Sequence, residues 1–258
     1  MFANRWRLRN KSVSNPSNPH LYIHHHLGLG DMIHCNGMVR ALLAQLPEEQ
    51  NVRVFCKQSY SSMVEWMYRD QPRIELRCID QKKRETPEVR RVLRAERATN
   101  FLSVGHKAMR PLEAAHPELF FDQLFYLQLG MPYENRFSQC YWQRDLEEEE
   151  RVFRKLAPEG EYAFVHDDPS RGFQLKTEHI DIPIVRNDVT ESIFHMGLLL
   201  ERAKEIHCME SSIRCMIESL DVENVQLYWH AFRYGSRALG TATCKNWVTV
   251  PYHLAEAA

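Results

Sequence analysis

The stretch "HLYIHHHLGLGDMIHCNGMVRALLAQL", residues 20–46, decides the fold. A β-rich run, "LYIHHH" (21–26), meets two glycines and an aspartate. Beyond them Met32, Ile33, Met38, Val39, Leu42, Leu43 and Leu46 recur at the spacing of one buried helix face, up to Pro47. Strand, glycine turn and amphipathic helix form the opening unit of a parallel α/β sheet. Gly28 and Gly30 are expected to shape the turn and to bring backbone amides toward a ligand. Asp31, at the helix start, is either an N-cap or a chemical group.

The same rhythm continues along the chain. Strands are predicted at 52–56, 73–79 and 100–104, with helices at 59–70 and 117–130, the latter closed by Gly130. The charged segment 81–97 reads as a solvated helix or loop. "RDLEEEERVFRKLAPEG" (144–160) is acidic early and basic late, as a helix dipole prefers, and reads as the junction between two halves. The second half repeats the pattern, with strands at 161–166, 180–185, 205–209, 225–230 and 247–250 and helices at 190–203 and 211–220. Two α/β domains with parallel sheets follow, over 1–145 and 146–258.

Ligands of such sheets sit beyond the carboxyl ends of the strands, which selects four segments. The first, "HHHLGLGD", lacks a third glycine, and strand two ends in Lys57 where a ribose-binding acid would stand. Nicotinamide cofactors and S-adenosylmethionine are thereby disfavoured. His24, His25 and His26 alternate faces, so at most His24 and His26 share one side; three metal ligands are not available from the triplet. The second, "FVHDDPSRGF" (164–173), gathers His166, Asp167, Asp168, Ser170 and Arg171. Arg171 suits a diphosphate, with Lys176 as a second cation. The two aspartates are turn formers or ligands of a divalent ion. The third, Glu210-Ser211-Ser212, opens a helix and offers hydroxyls and amides to an anion, or ordinary capping. Glu210 could accept hydrogen bonds from a ribose or sugar. The fourth carries His230, Arg233 and Arg237, as a solvated loop or a phosphate contact.

Composition closes off other classes. Of 258 residues, 33 are basic and 34 acidic, a balance that does not suggest bulk nucleic-acid binding. The seven cysteines include no CxxC pair, and read as reduced thiols. The basic, polar N-terminus lacks an apolar signal segment, and no long apolar run is present. A cytoplasmic protein without a transmembrane segment is expected.

"LGLGDMIHCNGMVRALLAQL" resembles the amino-terminal strand–loop–helix of GT-B glycosyltransferases of the heptosyltransferase-like kind, with Gly30, Asp31, Arg40 and Leu42 in the matching positions. "AKEIHCMESSIRCMIESL" is similar to the donor-site motif of that group, with Glu210 and Ser211 as its acidic and serine positions. "FVHDDPSRGF" is faintly similar to the nucleotide-sugar loop of fucosyltransferase-type relatives. The resemblance implies two Rossmann-like domains facing a cleft, the first presenting an acceptor and the second holding a nucleotide sugar. Asp31 would be the general base, with His26 orienting it or the acceptor. His166, Arg171, Lys176, Glu210, Ser211 and Ser212 would hold the donor. Transfer to a glycan or other hydroxyl would be inverting, with no metal or cofactor. The competing expectations are a metal-dependent phosphate-transferring enzyme built on His24, His26, Asp167 and Asp168, and a non-catalytic nucleotide- or glycan-binding protein.

Overall fold

The computed structural model describes residues 18–80, 82, 84–232 and 241–251. The basic N-terminal stretch, Arg233 and Arg237 lie outside the described residues. The chain divides into two compact units, Met1–Gln143 and Arg144–Ala258.

The first unit runs β1 (Leu21–His24), α1 (Leu29–His34), α2 (Asn36–Leu43), β2 (Val52–Lys57), α3 (Ser61–Tyr68), β3 (Ile74–Ile79), α4 (Glu85–Ala95) and β4 (Asn100–Ser103). It closes with α5 (Arg110–Ala115), α6 (Phe121–Leu129) and α7 (Asn135–Ser138). The sheet order is β3-β2-β1-β4, and every pairing is parallel. β1 is therefore central, and all four of its residues are buried, as a strand covered on both faces requires. Tyr22, Leu27, Phe55, Ile79 and Val89 form one cluster, with Val92 and Leu93 of α4 packed on it. Each such side chain taken from water contributes about 1.5–3 kcal/mol.

The periodic run after Gly28 predicts one helix, but two form. They meet at Cys35 (φ −89°, ψ −3°), which ends α1 and caps α2. The break lets the next two residues pack tightly. Asn36 donates to the Tyr141 carbonyl (3.1 Å) and accepts from the Tyr141 amide (3.0 Å). Gly37 lies so close to α7 that a Cβ would fall 2.1 Å from the Asn135 carbonyl oxygen. Within the charged segment, Glu85–Ala95 form helix α4, and Gly130 closes α6 at φ 62°, a left-handed position that favours glycine.

The second unit runs α8 (Leu146–Leu156), β5 (Ala163–His166), β6 (Ile184–Arg186), α9 (Gly197–Glu201), β7 (Glu205–Met209), α10 (Ser212–Ile217), β8 (Gln226–Ala231) and β9 (Trp247–Pro251). Its sheet, β6-β5-β7-β8-β9, is again wholly parallel. Asp145 caps α8 by accepting from the Glu148 amide at 3.2 Å. Two predictions here were too long. The strand expected at 180–185 is the short edge strand β6; Pro183, which has no amide to give a ladder, precedes it and accepts from Ala163 N through its carbonyl. The helix expected at 190–203 is a 3₁₀ turn, Ile193–His195, followed by α9. Among the described residues no helix is long and apolar enough to cross a membrane.

Candidate active site

In an open parallel sheet a crevice forms where the winding reverses, between two adjacent strands whose connections leave in opposite directions. The orders above place one such point between β1 and β4, and another between β5 and β7. The first sequence-predicted segment follows β1. The second and third follow β5 and β7, strands whose register pairs His166 with Cys208. Sequence segments 164–173 and 209–212 are thus brought to one point of the second sheet.

At the end of β1, helix α1 begins earlier than expected. Gly28 (φ −69°, ψ 149°) is its N-cap, and Gly30 lies inside its first turn. Gly30 therefore does not shape the loop, and Asp31 is not the cap; it is the third helical residue. Its carboxylate reaches back to accept the Gly28 amide, the half of a capping box that an acidic third residue supplies. That approach explains the glycine: a Cβ on residue 28 would lie 2.7 Å from Asp31 Oδ2. Burial pushes the Asp31 carboxyl up to about 6, against the pull of the Gly28 amide. Asp122 and Glu85 add to the rise, and Lys57 opposes it. Lys57 itself pairs with Glu85 at 2.9 Å.

The histidines crowd the same strand end. The backbone N–H of His106 donates to His26 Nε2 at 3.1 Å, so the His26 proton sits on Nδ1. His106 stacks on His24 (centroids 4.4 Å apart) and lies 4.7 Å from the His26 ring, which meets Phe125 edge-on. Gly105, at φ 79°, leaves room for His26: a Cβ there would come within 2.9 Å of Nε2. His25 donates through Nδ1 to the His26 carbonyl at 2.6 Å. Burial lowers His24 to about 3 and His25 to about 4, and lowers His26 and His106 as well. The cluster is neutral near pH 7. His26 thus braces the loop after β4. Sequence reasoning missed Gly105 and His106, although the post-strand rule applied to "NFLSV" would have found them.

At the end of β5 the turn chemistry prevails. Asp168 pairs with Phe173 through both backbone groups, enclosing the 3₁₀ turn Pro169–Arg171. Its carboxylate accepts from Ser170 Oγ (2.5 Å) and Arg171 Nε (2.5 Å), and these partners hold it below its usual range. Asp167 accepts from Arg186 Nη1 (2.6 Å) and the Leu175 amide (3.0 Å). Both aspartates are thus engaged by cations and donors of their own unit. Among the described residues no three His, Cys, Asp or Glu side chains converge as metal ligands. His166 donates through Nδ1 to Asn187 Oδ1 at 2.6 Å, and burial lowers its pKa. Arg171 and Lys176 are exposed.

After β7, Ser211 caps α10, its Oγ accepting from the Arg214 amide at 3.3 Å. Ser212 is the first residue of that six-residue helix, and Glu210 is half-buried just before it. Arg214 itself points into the core: it packs on Trp229 (4.4 Å), faces Glu218 (3.6 Å) and donates to the Thr241 hydroxyl. Glu218 also accepts from the Cys244 amide (2.8 Å) and Trp247 Nε1 (2.9 Å). In the fourth segment, His230 is buried against His207 (2.9 Å) and lowered by burial to about 4, a core group. Arg40, which the resemblance also matched, is structural as well. It makes a bidentate pair with Asp70 (2.9 and 2.7 Å) between the rings of Tyr68 and Tyr141.

No protein-family model matches the sequence, and no curated protein matches it. Solved structures do share the fold. A glycosyl transferase family 9 structure from Veillonella parvula matches with a TM-score of 0.57 at 10% identity, over 90% of this chain and 86% of that one. The E. coli ADP-heptose lps heptosyltransferase II matches with a TM-score of 0.53 at 13% identity, over 90% and 89%. The chain therefore has the α/β fold, with parallel sheets, that these glycosyltransferases have.

Proposed function

We propose that this protein is a cytoplasmic glycosyltransferase of the GT-B kind, moving a sugar from a nucleotide diphosphate to an acceptor hydroxyl. The observation that carries the reading is the position and state of Asp31. It stands at the switch point of the first sheet, in a fold shared with glycosyltransferases, with a pKa raised to about 6. A carboxylate with that affinity for protons is a competent general base near neutral pH. Asp31 takes the proton of the acceptor hydroxyl as its oxygen attacks the anomeric carbon from the face opposite the leaving diphosphate, which inverts that carbon. His26, braced by the His106 amide, fixes the wall against which the acceptor sits.

The second unit holds the donor. Arg171 and Lys176 stand exposed beyond β5, where their charge can meet the leaving diphosphate. Ser211 and Ser212 offer hydroxyls after β7, Glu210 takes sugar or ribose hydroxyls, and His166 lines the same strand end. Charge on the leaving group is met by these cations without a metal or a cofactor. The engagement of Asp167 and Asp168 by Arg186 and Arg171 counts against a site for a divalent ion there.

A thermal-shift screen against nucleoside diphosphates and nucleotide sugars, followed by donor-consumption assays in the presence of a chelator, tests the reading. Stabilisation by at least one nucleotide and turnover of its sugar conjugate are expected. Stabilisation without consumption of any donor would leave a binding protein, and no stabilisation at all would overturn the proposal.

A further inference from the structure

Cys56 and Cys78 lie directly opposite each other on β2 and β3, in register across a parallel pair. Register partners present their side chains on the same face, and neighbouring parallel strands lie about 4.8 Å apart. That separation falls inside the Cα range a disulfide tolerates, roughly 4.4–6.8 Å. The two sulfurs are already 3.7 Å apart. Rotation about the side-chain bonds can bring them to bonding distance with little demand on the backbone.

The two thiols differ in access. β2 is an inner strand and Cys56 is buried, whereas β3 is the sheet edge and Cys78 is half-buried. Cys78 also lines a surface pocket together with Tyr68, Pro72, Ile74 and Leu76. Burial raises the Cys56 thiol far above its usual range, which makes it the poorer first nucleophile.

We propose that Cys78 and Cys56 are a redox modification site, with Cys78 the peroxide-reactive thiol and Cys56 the resolving one. The Cys78 thiolate attacks the terminal oxygen of a hydroperoxide, breaking the O–O bond and giving a sulfenic acid and the alkoxide, or hydroxide when the oxidant is hydrogen peroxide. The Cys56 sulfur then attacks the sulfenic sulfur, its proton leaving with the displaced hydroxyl as water. Together the two thiols lose two electrons, the hydroperoxide gains them, and two waters result when it is hydrogen peroxide. A chemical reductant reopens the bond. This site is independent of the transferase reading.

The test treats the purified chain with hydrogen peroxide at a few equivalents, blocks remaining thiols with N-ethylmaleimide in denaturant, which exposes the buried cysteines, and maps peptides by mass spectrometry without reduction. The expected result is a Cys56–Cys78 cross-link as the dominant product, with five of the seven cysteines alkylated. Dithiothreitol should restore the remaining two. Cys56→Ser should leave a sulfenic acid on Cys78 that dimedone traps, and Cys78→Ser should slow thiol loss at Cys56 at least tenfold. Cys78 found as sulfinic or sulfonic acid while Cys56 stays reduced in the wild type would overturn the proposal. So would undiminished oxidation of Cys56 in Cys78→Ser.

Discussion

At the end of β1 stand buried neutral histidines and a carboxyl of raised pKa, whereas at the end of β5 two carboxylates are already paired with exposed arginines. Each point arises from a reversal of winding in its own unit's sheet. The first gathers His24, His25, His26 and His106, all with lowered pKa values, at the strand end that leads into α1, where Asp31 is raised to about 6. The second presents Arg171 on Asp168 and Arg186 on Asp167, ion pairs whose arginines are open to water. The difference teaches that one winding pattern can support two kinds of chemistry. A dry strand end tunes proton affinity through desolvation. A wet one keeps full charges available, to be exchanged from a neighbouring carboxylate to a phosphate.

The sharpest way to break this comparison is Asp31→Asn. Transfer should fall about 10²–10⁴-fold, the usual worth of a general base, while nucleotide affinity stays within about twofold. In the wild type the rate should fall tenfold per unit as pH drops below about 6, since protonated Asp31 cannot accept the hydroxyl proton. The sign for stability is opposite. A carboxyl whose folded pKa is raised from 3.8 to about 6 binds its proton more tightly when folded, so it costs stability progressively as pH rises through that window. At pH 7.5 the Asn variant should therefore be more stable by up to about 3 kcal/mol in urea titrations. Equal loss of rate and of nucleotide affinity would show that the two strand ends do not divide the work.

A medium effect compares how each unit packs. Gly37→Ala sets a Cβ against the Asn135 backbone carbonyl, which cannot yield without moving α7. Gly197→Ala meets the side-chain ends of Glu149 and Arg144. The first should cost about 3 kcal/mol and the second about half that, read from the denaturant midpoints. The smallest effect belongs to Arg171→Ala. Nucleoside diphosphate affinity should weaken about tenfold, mostly at low salt, with stability changed by less than about 0.5 kcal/mol, because the Asp168 pair is a surface one. A large loss of stability would mean that Arg171 holds the turn rather than a ligand.

The strand–helix rhythm was legible because β1, β5 and β7 are short apolar runs bounded by glycine, proline and serine, and α6 ends on a glycine suited to its left-handed cap. The position of Asp31 and of the segments after β5 and β7 at strand ends was legible too, because each follows a short β-rich run. What the one-dimensional pattern hid was tertiary. The break at Cys35 depends on Asn36 and Gly37 meeting a chain segment a hundred residues on. The capping role of Gly28 depends on where the Asp31 carboxylate turns. His230 read as part of a solvated loop or a phosphate contact, yet its charge state and partners are set by a core that no local spacing reveals.

The wholly parallel sheets carry a consequence for synthesis. β1 leaves the ribosome before any of its partners, and its second edge stays open until β4 has been made. No hairpin can shelter it meanwhile, because parallel neighbours are joined only through crossovers. An apolar strand waiting through that interval is the point at which chain association competes with folding, and the first unit's yield in translation should depend on chaperones that hold "LYIH" apart.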